Sequence, residues 1–323
     1  MDTLPEPAIS LPRQRGPVTV RLGGLDDDLD VLNEGNLLWW GQDFMAERIR
    51  SSPPEDPWMI LVGEVDDEPV GYAFVLGKGV MAGGYAMGDV YVAPRGRGRG
   101  VGRALVEAVT EATRSYRLPG FLVSTPEQDA TSQSVASRWG FQVVARHRES
   151  VLDLDTMDLG AASGAVERAG SAGFRLEPLP DDADGQLWRR VYELNKRTWK
   201  DAPDADGATD DMPYSVFRGY FPHPSYVFLA WLDGEPVGST SLMDRTKDEA
   251  LNTMFTGVLP EARGHGLAAG LKAGHALFMR EQGHHRIYTQ NMEGNLPILT
   301  ANDRLGFRVD SGFVDLALAV PER

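Results

Sequence analysis

The chain has 323 residues, enough for two units of ordinary size that each bury a core of their own. Its 32 Lys and Arg against 47 Asp and Glu leave a formal charge of −15, which argues against nucleic acid as a partner and suits a small or cationic acceptor. The absence of Cys excludes disulfides, thiolate metal sites and cysteine nucleophiles and fits a reducing cytoplasm.

In chain order, residues 1–15 are Pro-rich and read as a flexible N-terminus without an apolar core of signal-peptide length. No later run approaches the ~20 apolar residues of a membrane span, so a cytoplasmic protein with no membrane partner is expected. Val18 to Leu22 alternates as a strand, and two helical stretches follow within Asp26 to Arg50. Strand-sized apolar runs come next at Trp58 to Val65, Pro69 to Leu76 and Tyr85 to Val92. A glycine-rich loop then leads into a helix whose Val101, Leu105, Ala108 and Val109 recur at helical spacing. Phe121 to Ser124 reads as a strand, Ser132 to Arg138 as a helix, and Phe141 to Ala145 with Ser150 to Leu154 as a closing pair. The small, polar stretch from 157 to 172 reads as a join. Beyond it the order repeats: strand Phe174 to Glu177, helix Gln186 to Trp199, strands Tyr226 to Trp231, Val237 to Leu242 and Leu251 to Val258, then a second glycine-rich loop and helix.

Three landmarks establish a duplication. Glu68-Pro69-Val70-Gly71 returns as Glu235-Pro236-Val237-Gly238, Arg97-Gly98-Arg99-Gly100-Val101-Gly102 as Arg263-Gly264-His265-Gly266-Leu267-Ala268, and Trp139-Gly140-Phe141 as Leu305-Gly306-Phe307. Gly71 lies 26 residues before Arg97 and Gly238 lies 25 before Arg263, while both arginines lie 43 residues before the glycine of the last landmark. The expected organisation is therefore a first domain over 16–157, a linker over 158–172 and a second domain over 173–323. The 13 residues from Asp201 to Pro213, with five Asp and no Lys or Arg, read as an acidic surface loop present only in the second copy. Strands before and after a central helix predict a mixed α/β sheet in each domain.

A strand, a glycine-rich turn and a helix together direct several backbone N–H groups and the positive end of a helix dipole at one point, which suits a phosphate. A dinucleotide fingerprint fails in every frame, because its third glycine would be Val101, Arg103 or Leu105, and neither loop ends in the Gly-Lys-Ser/Thr of a Walker motif. The segments Val92 to Leu105 and Val258 to Ala268 instead resemble the acetyl-CoA loop of the GNAT superfamily, Arg/Gln-x-x-Gly-x-Gly/Ala, and the resemblance covers nearly all of both units. It implies two tandem acyl-CoA N-acyltransferase domains of mycothiol-synthase-like architecture, each a mixed, splayed sheet with helices on its faces.

The resemblance also implies residue roles. The pyrophosphate of acetyl-CoA, or another acyl-CoA, would lie against Arg97, Gly98, Arg99, Gly100, Val101, Gly102 and Arg103, or against Arg263, Gly264, His265, Gly266, Leu267 and Ala268. Pantetheine would bond the backbone of Tyr91 and Val92, or of Gly257 and Val258, and an amine of a small molecule would attack the thioester directly. The stretch from Thr289 through Asn291 and Asn295 to Asn302 looks like the Asn-rich segment by which several such domains hold the cofactor. The pattern is broken where many members place an acidic Tyr four residues before Gly-Phe, since Ala136 and Asn302 stand there. Asp89 is the candidate base if the first copy works, the strand of the second copy carries no carboxylate, and the second copy is favoured as the active one. His275, His284 and His285 are not expected to hold a metal. Two other functions stay open: a non-catalytic CoA-binding or regulatory protein, and a transferase acting on protein lysines or N-termini. The oligomeric state is not legible.

Overall fold

A computed structural model describes residues 17–26, 28–40, 58–76, 84–200, 214–219, 221, 223–245 and 248–321. The expected N-terminal tail, most of the second helical stretch before Arg50 and the acidic loop Asp201 to Pro213 lie outside the described residues, as do the side chains of Trp39 and Trp40. Two compact units divide the chain: one takes the residues up to Arg146 together with those from Phe313 onward, the other His147–Gly312.

In the first unit, β1 (Val18–Leu22), β2 (Trp58–Val65), β3 (Glu68–Leu76) and β4 (Ala86–Val92) run antiparallel in sequence order. β5 (Gly120–Pro126) then joins β4 in parallel. The crossover between them is α2 (Val101–Ser115), and α1 (Leu29–Trp40) precedes β2. Val101, Leu105, Ala108, Val109 and Ala112 form the buried stripe of α2 against Leu61, Val70, Ala73, Val75 and Phe121 of the sheet. Truncating such a buried Leu to Ala costs roughly 2–5 kcal/mol.

The second unit repeats this order. β7 (Arg175–Pro178), β8 (Val227–Leu232), β9 (Glu235–Arg245) and β10 (Ala250–Val258) are antiparallel, and β11 (Arg286–Met292) joins β10 in parallel. Helices α5 (Gly185–Trp199) and α6 (Tyr214–Gly219) precede β8; α7 (Leu267–Glu281) crosses from β10 to β11, and α8 (Leu296–Leu305) follows. α3 (Ala130–Arg138) is the counterpart of α8 in the first unit.

Two sequence expectations give way. The closing pair expected in the first copy is one strand, β6 (Gln142–Asp153), whose half from His147 onward pairs with β11 of the second unit. Conversely, β12 (Arg308–Ala319) lays Phe313–Ala319 against β5 of the first unit. Each unit thus receives its sixth strand from the other half of the chain, and the sequence could not show this because both partners offer the same kind of edge. The stretch 158–172, expected as a linker, forms α4 (Leu159–Ser171), capped by Asp158, which accepts from the Ala161 N–H at 2.9 Å. Its Ala162, Ala165 and Ala169 are the buried face of a close-packed helix. A Cβ placed on Gly270 of α7 would come within 3.0 Å of the Ala169 Cβ, so small residues on both helices permit the approach. No helix among the described residues is long and apolar enough to cross a membrane.

Candidate functional site

In both units the parallel pair parts partway along. β4 and β5 are in register from Ala86↔Phe121 to Gly88↔Val123, beyond which the edge of β4 away from β3, from Asp89 to Val92, has no partner strand among the described residues. β10 and β11 are in register from Leu251↔Ile287 to Thr253↔Thr289, and the edge from Met254 to Val258 is open in the same way. β10 also bulges between Thr253 and Phe255 against β9, whereas β4 pairs regularly with β3. A Cβ at Gly88 would run into the Phe74 carbonyl, and Met254 stands at the equivalent place in the second unit, where the strand bulges. Bulges of this kind re-aim strand groups beside functional sites.

Each open edge leads through a 3-10 turn, Pro94–Gly96 or Pro260–Ala262, into a glycine loop. Arg97 Nε donates to the Val92 carbonyl at 3.0 Å and Arg263 Nε to the Val258 carbonyl at 2.9 Å, so each arginine closes its loop onto the strand. Gly98 and Gly100 have φ of 73° and 95°, and Gly264 and Gly266 have 86° and 71°, a conformation that a side chain resists. A Cβ at any of the four would meet nothing within 4 Å. Helices α3, α4 and α5 are capped by the carboxylates of Asp129, Asp158 and Asp184. α2 and α7 begin instead at Gly100 and Gly266 without a side-chain cap, leaving the N–H groups of Val101, Gly102 and Arg103, or Leu267, Ala268 and Ala269, for an outside acceptor. This cradle fits the pyrophosphate of a CoA substrate.

The remaining candidates fall around these elements. Val101 and Leu267 are buried at the helix starts, Arg99 pairs with Asp66 at 2.8 Å, Arg103 with Glu107 at 3.0 Å, and the His265 ring lies 6.0 Å from Phe174. Gly102 abuts Trp139, and Gly257 abuts Thr198 and Phe255. Tyr91 Oη donates to Glu34 at 3.0 Å, and Arg95 holds the same carboxylate at 2.9 Å. Burial, then this bond, pushes the Tyr91 hydroxyl up to about 12. Asp89 follows the last paired residue of β4, opposite Phe74, and its charge adds to burial in raising Tyr72.

On the far wall of the second split, Asn302 Nδ2 donates to Asn291 Oδ1 at 2.8 Å, and Asn302 Oδ1 is buried without a hydrogen-bond partner among the described residues. Asn295 is the N-cap residue of α8 and makes no side-chain cap bond. The three histidines turn to separate partners: His275 to the Ser225 carbonyl, His285 to Asp155 and His284 to the Tyr226 ring. Among the described residues no group of three or more His, Cys, Asp or Glu is assembled for a metal.

Landmark spacing does not reach several further polar residues of the second unit. Glu149, from β6, accepts from Gln290 at 2.8 Å, Arg245 at 3.1 Å and Ser311 at 3.1 Å. Burial pushes its carboxyl up, but the bonds from Gln290 and Arg245 outweigh this and hold it below the usual range. Arg245 lies 3.8 Å over the Tyr288 ring. By pleat and register, Glu149, Arg245, Tyr288, Gln290, Asn252 and Ser241 share the face opposite α7, and Asn252 Oδ1 and Ser241 Oγ there are buried without a hydrogen-bond partner among the described residues. Lys272 and His275 lie on the other face, within the core. A residue-by-residue comparison of the two helices would have revealed this pair, since Val106 and Val109 are their counterparts.

A family model described as Acetyltransferase (GNAT) family matches residues 29–141 and 188–307. A mycothiol acetyltransferase of Clavibacter sepedonicus is 28% identical over 88% of this chain and 84% of its own length. Another from Acidothermus cellulolyticus is 30% identical over 75% of this chain and 74% of its own. Among solved structures, a tandem GNAT protein from the clavulanic acid biosynthesis pathway superposes with a TM-score of 0.68 at 20% identity, covering 95% of this chain and 99% of the other.

Proposed function

Since the chain belongs to the GNAT family of acetyltransferases and is an N-acetyltransferase, we propose that it transfers the acyl group of acetyl-CoA, or another acyl-CoA, to the primary amine of a small molecule, with the second unit as the active copy. The observation that carries this reading is the open edge of β10, which begins at a bulge and ends in an uncapped helix N-terminus. The loop N–H groups would take the pyrophosphate, and pantetheine would complete the sheet along Met254 to Val258. The acyl carbonyl would then lie beside the bulge, where a strand N–H can stabilise the oxyanion. The amine nitrogen attacks the thioester carbon, the carbon–sulfur bond breaks, and the amine proton leaves as the thiolate takes one up. Glu149 is tied by three donors and is unsuited as the base, so water beside Ser241 and Asn252 serves in proton removal.

The relatives named mycothiol acetyltransferase support a small-molecule acceptor. We assign a cationic amine, from the charge of −15 and the five Asp between Asp201 and Asp211. The first unit, with Tyr91, Glu34 and Arg95 tied together beside its split, acts as a CoA-binding copy. Amine-dependent CoA release in full chains carrying Gly100→Val or Gly266→Val tests the assignment. Activity should persist in the first and fall at least tenfold in the second; the reverse result transfers the chemistry to the first unit.

A further inference from the structure

At the apex of the second split, one side chain is out of keeping with its surroundings. Lys272, buried on α7, donates from Nζ to Thr289 Oγ1 at 3.2 Å and lies 4.9 Å from the Phe307 ring. Thr289 and Thr253 are the last residues at which β10 and β11 pair, so the ammonium sits where the strands begin to part. Thr289 Oγ1 continues at 3.4 Å to Asn291 Oδ1, which also accepts from Asn302 at 2.8 Å. A chain of hydrogen bonds, buried at the lysine and half-buried at Asn291, thus runs from the helix to the wall of the split, with Asn291 Oδ1 accepting from both sides.

The first unit provides an internal control. Positions separated by the same interval as Gly100 and Gly266 pair Lys272 with Val106, His275 with Val109, Thr289 with Val123, Asn291 with Thr125 and Asn302 with Ala136. The same fold therefore forms with a largely apolar set there, and the polar set is not needed to build it. A buried amine with a single hydrogen-bonding partner costs stability relative to an apolar side chain of similar length. Among the described residues, Lys272 lines one small cavity together with Thr240 and Leu242 from β9, Thr253 from β10, Ile287 from β11, Phe307, and His275 on its own helix, and Thr289 takes its hydrogen bond. His275 is the titratable group among them, and burial depresses it to about 3.

We propose that Lys272 is a positioning residue of the acyl-CoA site in the second unit, fixing Thr289 and, through it, the Asn291–Asn302 pair at the wall of the split. This rests on the reading that the second unit holds acyl-CoA. Lys272→Met removes the donor and keeps the length; Lys272→Gln keeps a donor that does not titrate; Thr289→Val breaks the chain and leaves the amine.

The test is acetyl-CoA affinity by calorimetry from pH 6 to 8.5, in the full chain carrying Gly100→Val so that the second loop is the one read. Lys272→Met and Thr289→Val should each raise Kd on the order of tenfold, with Lys272→Gln within about threefold of the parent. The pH dependence that the parent shows relative to Lys272→Gln, tightening below pH 7 as the amine gains its proton, should vanish in Lys272→Met. If Lys272→Met and Thr289→Val bind as the parent does at every pH, the positioning role is refuted. If the parent itself does not bind, the assignment of acyl-CoA to the second unit has failed instead.

Discussion

Lys272→Met is also a test of burial energetics in the second unit. Burial alone depresses the ammonium from 10.5 to about 7, and no carboxylate among the described residues compensates it. Below pH 7 both folded and unfolded chains hold the proton, and the folded state bears the full desolvation cost. Between about pH 7 and 10.5 the unfolded chain keeps a proton that the folded one has shed, so stability rises with pH by up to about 1.4 kcal/mol per unit. The methionine variant carries no ionisable group at this position and lacks that contribution. The stability of wild type minus that of the variant should therefore increase by about 2.5 kcal/mol from pH 7.5 to 9.5, with the variant the more stable below pH 7. Loss of the bond to Thr289 offsets this by about 1 kcal/mol at every pH. Urea unfolding followed by circular dichroism at four pH values measures the difference. A difference flat to within about 0.5 kcal/mol would show that Lys272 reaches solvent and that the buried-amine reasoning is wrong.

Arg245→Met leaves Glu149 buried without its cation and should destabilise the second unit by about 3–5 kcal/mol, whereas adding Glu149→Gln should recover much of the loss in thermal melts. Because Glu149 is held below its usual value, the stability it contributes is complete above the normal carboxylate range and is lost as pH falls through the depressed value; Glu149→Gln should flatten that acid limb. If the first unit catalyses after all, Asp89→Asn should remove an acidic limb from the pH–rate profile, and an unchanged profile keeps the chemistry in the second unit. For a cationic acceptor, kcat/KM should fall as salt rises, and Asp→Asn at Asp201, Asp204, Asp206, Asp210 and Asp211 should abolish that dependence without weakening CoA affinity; an unaltered salt response would count against a cationic acceptor steered by these aspartates.

Much of this protein is written locally. The glycines at 98, 100, 264 and 266 announce a loop because only glycine takes positive φ without strain, and apolar spacing from Val101 to Val109 announces the helix that the loop starts. The duplication, the family and the position of both cradles follow from such short-range signals. Long-range pairing decided the rest. A strand records which residues share a face but not which edge it will meet, so β6 and β12 could exchange units unannounced. Alanines read as linker became a helix face because α7 offered small residues opposite them. Glu149 joins Arg245, 96 residues away, and Lys272 meets Thr289 only once the helix has packed on the sheet. Burial and partners set the chemistry of those groups, and both exist only in the folded chain.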